Sequence, residues 1–472
     1  AGGPASISAG DRLGLICDQP GLDGSYDTFG AAWQLRSDAF RDTIVYFRNN
    51  PSILLWEAGN WKICRQHALE LRALADRYDP HGGRAFTFRR AVGNLADLID
   101  VDLGTEGTSD LDHIPLVEAE YDREESPRRV WDKSSPPHWG YPEAVGQPYQ
   151  LTSEEYACNQ VSQYVRKLGA DSHCGGANWI FSDTTSGGRV GVEVARASGE
   201  VDAVRLPKEA YYVCQAMFAD GPQLHIIGHW TYLPHTTKTV YVVSNAEQVE
   251  LFVNDRSLGL GQVSDRYLFE FPNVAFEPGQ IRAVARSGGK DVATRVKRTS
   301  ASPYMLRLTP ILGPGGLCAD GNDVVLIDVE VLDPAGERYP LSQAKVDFQI
   351  EGPGVWRGGY NSGKPHSTNH PSLDLEGGIN RVAIRSTREP GKIVIRARAQ
   401  NLMSAQLIIE SHPVTVANGC TENVPDLATK ISPPEPTRTE SSAVISSASR
   451  LRPATDSLSV PLPTPIPPSP EE

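Results

Sequence analysis

The residues best placed to do chemistry are two carboxylates closing an apolar run, Ile114-Pro115-Leu116-Val117-Glu118-Ala119-Glu120-Tyr121. A charged stretch from Asp122 to Asp132 follows, with Arg123, Arg128 and Arg129 in it. An apolar run containing Ile and Val reads as a strand buried on both faces. Acids at the end of such a strand are costly unless they face a cavity where they act. In a (β/α) barrel that cavity is the mouth at the carboxyl ends of the strands. The plain alternative is a salt-bridged pair beside Arg123, Arg128 and Arg129.

The elements that must position these acids follow from patterning. Residues 1–232 alternate short apolar strands with longer amphipathic stretches, the signature of βα units. Leu13 to Cys17, Ser52 to Asn60, Ala85 to Phe88, Leu98 to Val101 and Gly176 to Phe181 read as strands, and the opening segment supplies another. Trp33 to Phe47 reads as a helix with Trp33, Phe40, Ile44 and Phe47 on one stripe, and His67 to Tyr78 as a second helix. Beyond 232 the texture becomes short β-rich segments with Gly, Asn and Asp turns, read as Ig-like sandwiches over 233–304 and 305–412. Residues 413–472 are rich in Pro, Ser and Thr, favour polyproline II over packed elements, and read as a disordered tail.

Three segments resemble glycoside hydrolase family 2, the β-galactosidase and β-glucuronidase family. Arg48 to Asn60, with Trp56-Glu57-Ala58-Gly59-Asn60, resembles its strand-4 motif; Pro115 to Tyr121 resembles strand 7; Gly175 to Asp183 resembles strand 8. The regions after 238 and 305 are similar to the sandwiches that follow the barrel in a bacterial branch of that family. The resemblance implies a (β/α)8 TIM barrel and a retaining glycosidase cleaving terminal β-linked sugars. That chemistry needs two carboxyls about 5 to 5.5 Å apart. By motif position Glu120 is the nucleophile and Asn60 the amide beside the sugar 2-hydroxyl. Trp179 is the stacking platform, or else a core tryptophan. Tyr121, Trp61 and Asp183 complete the implied substrate-binding set. Glu118, two residues deeper on the same side, reads as a carboxylate held by an arginine.

Two departures qualify that picture. Where the family places its acid/base glutamate, this chain has Trp61, which donates no proton to a glycosidic oxygen. Glu57, four residues before Trp61, and Glu106, after the preceding strand, are the candidate donors; an absent acid is the third option, leaving a carbohydrate-binding or scaffold protein. Counting back from the strand-4 motif, the barrel lacks its first one or two βα units.

Bulk properties narrow the partners. The formal net charge of -13, spread along the chain, argues against nucleic acid and anionic membrane surfaces. No apolar run approaches the roughly 20 residues that span a bilayer. The seven cysteines form no metal-ligand spacing, and Cys318 with Cys420 is the one pairing the sequence leaves open. No cofactor is implied. An oligosaccharide or polysaccharide-derived glycoside is the expected substrate, with a periplasmic or secreted location; the oligomeric state stays open.

Overall fold

The structure, a computed structural model, describes residues 3–21, 28–60, 63–89, 91, 93–105, 111, 113–136, 149–167, 173–185, 187–189, 194–417 and 420–421. The expected disordered tail opens instead on a short antiparallel pair, Val416–Ala417 with Cys420–Thr421, and lies outside the described residues beyond 421. Cys318 is a free thiol, so the expected pairing with Cys420 is not formed. Six short strands are parallel to their neighbours: β1 (Cys17–Pro20), β2 (Ile53–Glu57), β3 (Ala85–Thr87), β4 (Asp102–Thr105), β5 (Leu116–Tyr121) and β6 (His173–Asn178). They form two three-stranded runs, β1-β2-β3 and β4-β5-β6, as an incomplete, curled, barrel-like sheet. A cavity of about 650 Å³ lies against both runs, bounded by Asp18, Leu55, Leu103, Val117 and Ala177.

Helices connect the strands as parallel pairing requires. α1 (Pro4–Leu13) precedes β1, α2 (Gly30–Phe47) and α3 (Arg65–Tyr78) flank β2, α4 (Ser153–Lys167) precedes β6, and α5 (Glu209–Phe218) follows it. The predicted stripe on α2 is buried: Trp33, Phe40, Ile44 and Phe47. These residues pack with Leu71 and Ala75 of α3 around Trp56 and Phe86 of the sheet. Leu69 of α3 instead faces solvent.

Four predicted strands are corrected. The opening segment and Leu13 belong to a helix, because Gly14, with φ 69°, ends α1 in the left-handed region; Leu15 and Ile16 stay exposed before β1 starts. The predicted strand Leu98 to Val101 is not one. Leu98 closes a 3₁₀ turn (Gly93–Leu98) and packs into the helical core, and pairing with β5 begins only at Asp102. The strand predicted from Gly176 runs earlier, over β6. Past Trp179 the backbone leaves β5, and Ile180 bonds the Ser198 carbonyl and the Glu200 amide instead.

Beyond α5 the chain forms two pairs of largely antiparallel sheets. The first joins Arg256–Leu260, Gln248–Val253, Gln280–Ser287 and Lys290–Arg298 against Gln262–Asp265, Leu268–Ala275, Thr237–Ser244 and Leu224–Ile226. Its last-named strand lies upstream of the texture change read at 233. The second joins Met305–Ile311, Val324–Leu332, Ile379–Ser386 and Gly354–Gly359 against a five-stranded sheet running from Leu317–Cys318 to Ser372–Asp374. Strict alternation explains the second sandwich: Val325, Ile327, Val329 and Val331 point inward and the residues between them point out. No helix among the described residues is long and apolar enough to cross a membrane.

Candidate active site

β5 carries both acids, and a bulge decides where each points. Glu118 pairs with Gly104 of β4 while Glu120 pairs with Thr105, so Ala119 is the extra residue. The bulge breaks the simple alternation that put Glu118 and Glu120 on one side. A Cβ at Gly176 of β6 would lie 3.0 Å from Glu118 Cβ and 3.2 Å from Tyr121 Cδ1, so Glu118 shares its side with Tyr121. Lys167 of α4 touches both, with Nζ 2.5 Å from the Glu118 carboxylate and 4.0 Å from the centre of the Tyr121 ring. His173 Nε2 lies 2.9 Å from the same carboxylate. Glu118 is fully buried, held by a lysine and a histidine where an arginine was expected.

Glu120 points instead towards Arg89, two residues past β3, whose Nη1 lies 3.0 Å from Glu120 Oε1. Arg123 Nη1 approaches the other oxygen at 3.6 Å. Arg128 and Arg129, expected near these acids, turn away: Arg128 pairs with Asp202 and Arg129 with Glu376. The guanidinium of Arg89 also reaches Glu57 at the end of β2, Nε to Oε1 3.6 Å. One cation therefore stands between the carboxylates of two strand ends. The Arg89 amide donates to the Gly59 carbonyl, which places the residue beside the turn carrying Asn60.

Glu57 sits in a setting that favours its neutral form. Burial, then the charge of Asp18 on β1 and a hydrogen bond shared with it, push the Glu57 carboxyl up to about 8 against the pull of Arg89. Asp18 is raised as well, chiefly by burial. Two buried carboxyls in contact cannot both ionise cheaply, so the pair keeps a proton.

Trp179 follows β6 directly, and its amide donates to the Tyr121 carbonyl at 2.9 Å, keeping it level with the end of β5. The Trp179-Ile180 peptide is cis. Arg196 lies over the Trp179 ring, 5.4 Å from its centre, and pairs with Glu125 at 4.0 Å. Arg196 Nε is buried without a hydrogen-bond acceptor among the described residues. Asp183 is not among these groups. Its carboxylate is enclosed, bonded to Lys208 Nζ at 2.7 Å and the Gly199 amide at 2.8 Å, and burial pushes it up to about 7. That pairing fastens a loop through Oδ1, and Oδ2 is buried, so neither oxygen is exposed to a sugar.

Glu120 and Glu57 thus meet at one end of the curled sheet, with Trp179 level with the end of β5 and Asn60 in the adjoining turn. Tyr121, expected to bind substrate, turns its ring with Glu118 towards Lys167 on the α4 side, and Trp61 and Glu106 lie outside the described residues. Sequence reasoning missed Asp18, Arg89 and Arg196. Arg89 carried the same signal as the acids, a charged residue directly after the apolar run Ala85 to Phe88. Among the described residues no group of three or more His, Cys, Asp or Glu could hold a metal ion.

Comparison with known proteins adds an independent line. Residues 235–293 match the family model "Domain of unknown function (DUF4982)". Residues 315–408 match "Glycoside hydrolase family 2 C-terminal domain 5". A beta-glucuronidase of Formosa agariphila is 46% identical over 443 residues, covering 92% of this chain and 45% of that protein. Beta-galactosidase BoGH2A of Bacteroides ovatus is 34% identical over 223 residues, 46% of this chain and 26% of that protein. The solved structure of a beta-glucuronidase from glycoside hydrolase family 2 superposes with a TM-score of 0.83 at 46% identity, over 90% of this chain and 45% of that one. The chain spans less than half the length of these relatives.

Proposed function

Because this chain belongs to glycoside hydrolase family 2, we propose that it carries the catalytic residues of a retaining glycosidase acting on terminal β-linked sugars. In this reading β1–β6 correspond to the third to eighth strands of a (β/α)8 barrel, followed by two Ig-like sandwiches. Glu120 attacks the anomeric carbon, Trp179 stacks on the pyranose ring, and Asn60 meets the 2-hydroxyl. The observation that carries the reading is Arg89 standing between Glu120 and Glu57, 3.0 Å from one and 3.6 Å from the other.

Arg89 lets two carboxyls do different work. Glu120 lies against the guanidinium groups of Arg89 and Arg123, which orient it for attack on the anomeric carbon. Glu57, raised to about 8, still holds a proton at neutral pH and donates it to the leaving oxygen. Once Glu120 is esterified by the sugar its charge is gone, and the full field of Arg89 falls on Glu57. The Glu57 carboxyl is then pulled down and accepts a proton from the water that releases the sugar. Glu57 is preferred to Glu106 because its setting supplies the proton; Trp61 supplies none.

For the sugar, whose identity the sequence motifs leave open, a uronic acid fits best. Arg196 is an under-coordinated guanidinium above the stacking ring, suited to a carboxylate. The relative that is 46% identical is named a beta-glucuronidase. Polysaccharide-derived glycosides are met outside the cytoplasm, so we place the reaction in the periplasm or beyond the cell. The rival reading, a sugar-binding scaffold, is favoured by Trp61 at the usual acid position.

The two are separated by a mechanism-based label. A 2-deoxy-2-fluoro-β-glucuronyl fluoride should esterify Glu120, seen as a mass increment on the peptide containing residues 116–121. Glu120→Gln should remove both the increment and hydrolysis of 4-nitrophenyl β-D-glucuronide. Saturable binding of the label with no covalent increment would leave the scaffold reading standing and the glycosidase reading refuted.

A further inference from the structure

We propose that Tyr360 of the second sandwich is a positioning residue for the substrate mouth, holding the rim segment 194–205 that carries Arg196. This rests on the glycosidase reading above and names what sets its recognition of an acidic sugar. The Tyr360 hydroxyl donates to the Val194 carbonyl at 2.7 Å, two residues before Arg196. At the other end of the segment, Arg381 Nη1 donates to the Val204 and Arg205 carbonyls at 3.1 and 3.3 Å, while Asp328 fixes its guanidinium at 2.6 Å. The second sandwich thus grips the rim at both ends.

Between the grips the rim is tied to the site itself. The Ile180 amide donates to the Ser198 carbonyl, the Glu200 amide to the Ile180 carbonyl, and Asn178 Nδ2 to Glu200 Oε1. Ser198 Oγ donates to the carbonyl of Arg123, the residue that faces Glu120. Arg196 exchanges backbone hydrogen bonds with Thr184, and its guanidinium lies over Trp179.

Tyr360 is itself rigidly placed. Asn380 Nδ2 donates to its carbonyl at 3.2 Å, and its neighbour Asn361, almost fully buried, is bonded to Ser367 and Asp374. A rigid donor on a carbonyl two residues from an arginine fixes where that arginine's stem begins. A loop without the donor leaves the guanidinium to wander from the stacking ring. The sandwich reads here as one wall of the mouth.

The experiment is Tyr360→Phe in the full chain, with Tyr304→Phe, at an exposed tyrosine of the same sandwich, as the control. Loss of one hydrogen bond should raise KM for 4-nitrophenyl β-D-glucuronide about fivefold. kcat, and KM for the neutral β-D-galactoside, should stay at wild-type values. Amide exchange over residues 195–198 should quicken in Tyr360→Phe and not in the control. Exchange at wild-type rates, or equal changes in KM for acidic and neutral sugars, overturns the proposal. If wild type cleaves no glycoside, the glycosidase reading falls, and the exchange rates still decide whether Tyr360 holds the rim.

Discussion

Arg89 joins three acids that would otherwise repel: Glu120 across the mouth, Glu57 beside it and Asp18 behind Glu57. Its removal should cost more than one contact. Arg89→Met is expected to lower kcat/KM on the order of a hundredfold, because Glu120 loses its orientation and Glu57 binds its proton too tightly to release it. Steady-state kinetics on an activated glycoside checks this; a drop below threefold would remove Arg89 from the mechanism. Glu57 also leaves a trace in stability. Its folded value lies above the unfolded one, so its contribution is complete below about pH 4.5 and is lost as pH rises through about 8. Wild type should therefore lose Tm relative to Glu57→Gln between pH 5 and 8.5, the gap widening with pH. Parallel Tm curves across that range would mean that Glu57 is ionised in the folded protein. Strand-end acids were legible in the sequence because charge directly after an apolar run is unusual. The Arg89 bridge was not, since contact between β3 and β5 is set by closure of the sheet and leaves no spacing to read.

At the level of the element, the bulge in β5 turns one acid inward and the other back towards α4. Gly176 on β6 makes room for it: a Cβ there would lie 2.8 Å from the Glu118 carbonyl oxygen. Gly176→Ala must push β5 and β6 apart, and a backbone atom yields less than a side-chain tip. A loss of about 1 to 3 kcal/mol is expected, with hydrolysis falling further than stability because Glu120 moves with its strand. Urea titration beside kinetics tests the pair of effects, and a variant of unchanged activity would show that the bulge does not depend on close contact with β6. Helices and inner strands were readable because their burial follows the 3.6 and 2 periods, as α2 and Val324–Leu332 illustrate. Two of the errors fell on Leu13 to Cys17 and Leu98 to Val101, short apolar runs whose state is decided by a glycine cap in one case and by packing against helices in the other. The bulge itself has no composition signal, so the relative sides of Glu118 and Glu120 could not be read.

Across the whole molecule, the segment that follows the candidate nucleophile is buried against the second sandwich. Arg128 reaches Asp202 at 2.8 Å and the Ile379 carbonyl at 3.0 Å. Arg129 reaches Glu376 Oε1 at 2.8 Å, an oxygen that also accepts from the Ser362 amide and hydroxyl. Trp131 donates to the Pro340 carbonyl at 2.8 Å. Each of these side chains is nearly or fully enclosed, so Glu376 neutralises arginines that have no water to turn to. Removing one partner of such a pair costs far more than replacing both, because a buried charge is stranded. Glu376→Gln should therefore lose about 3 kcal/mol and, more tellingly, change the cooperativity of unfolding. Wild type should unfold in urea as one transition by tryptophan fluorescence and circular dichroism together. The variant should show two, the second sandwich parting from the barrel-like half before that half melts. Glu376→Met combined with Arg129→Met should recover most of the loss, since an apolar pair strands no charge there. A single transition retained in Glu376→Gln, at unchanged midpoint, would mean that the two halves are joined by apolar contact alone and that the buried ions play no part in holding the mouth to its wall.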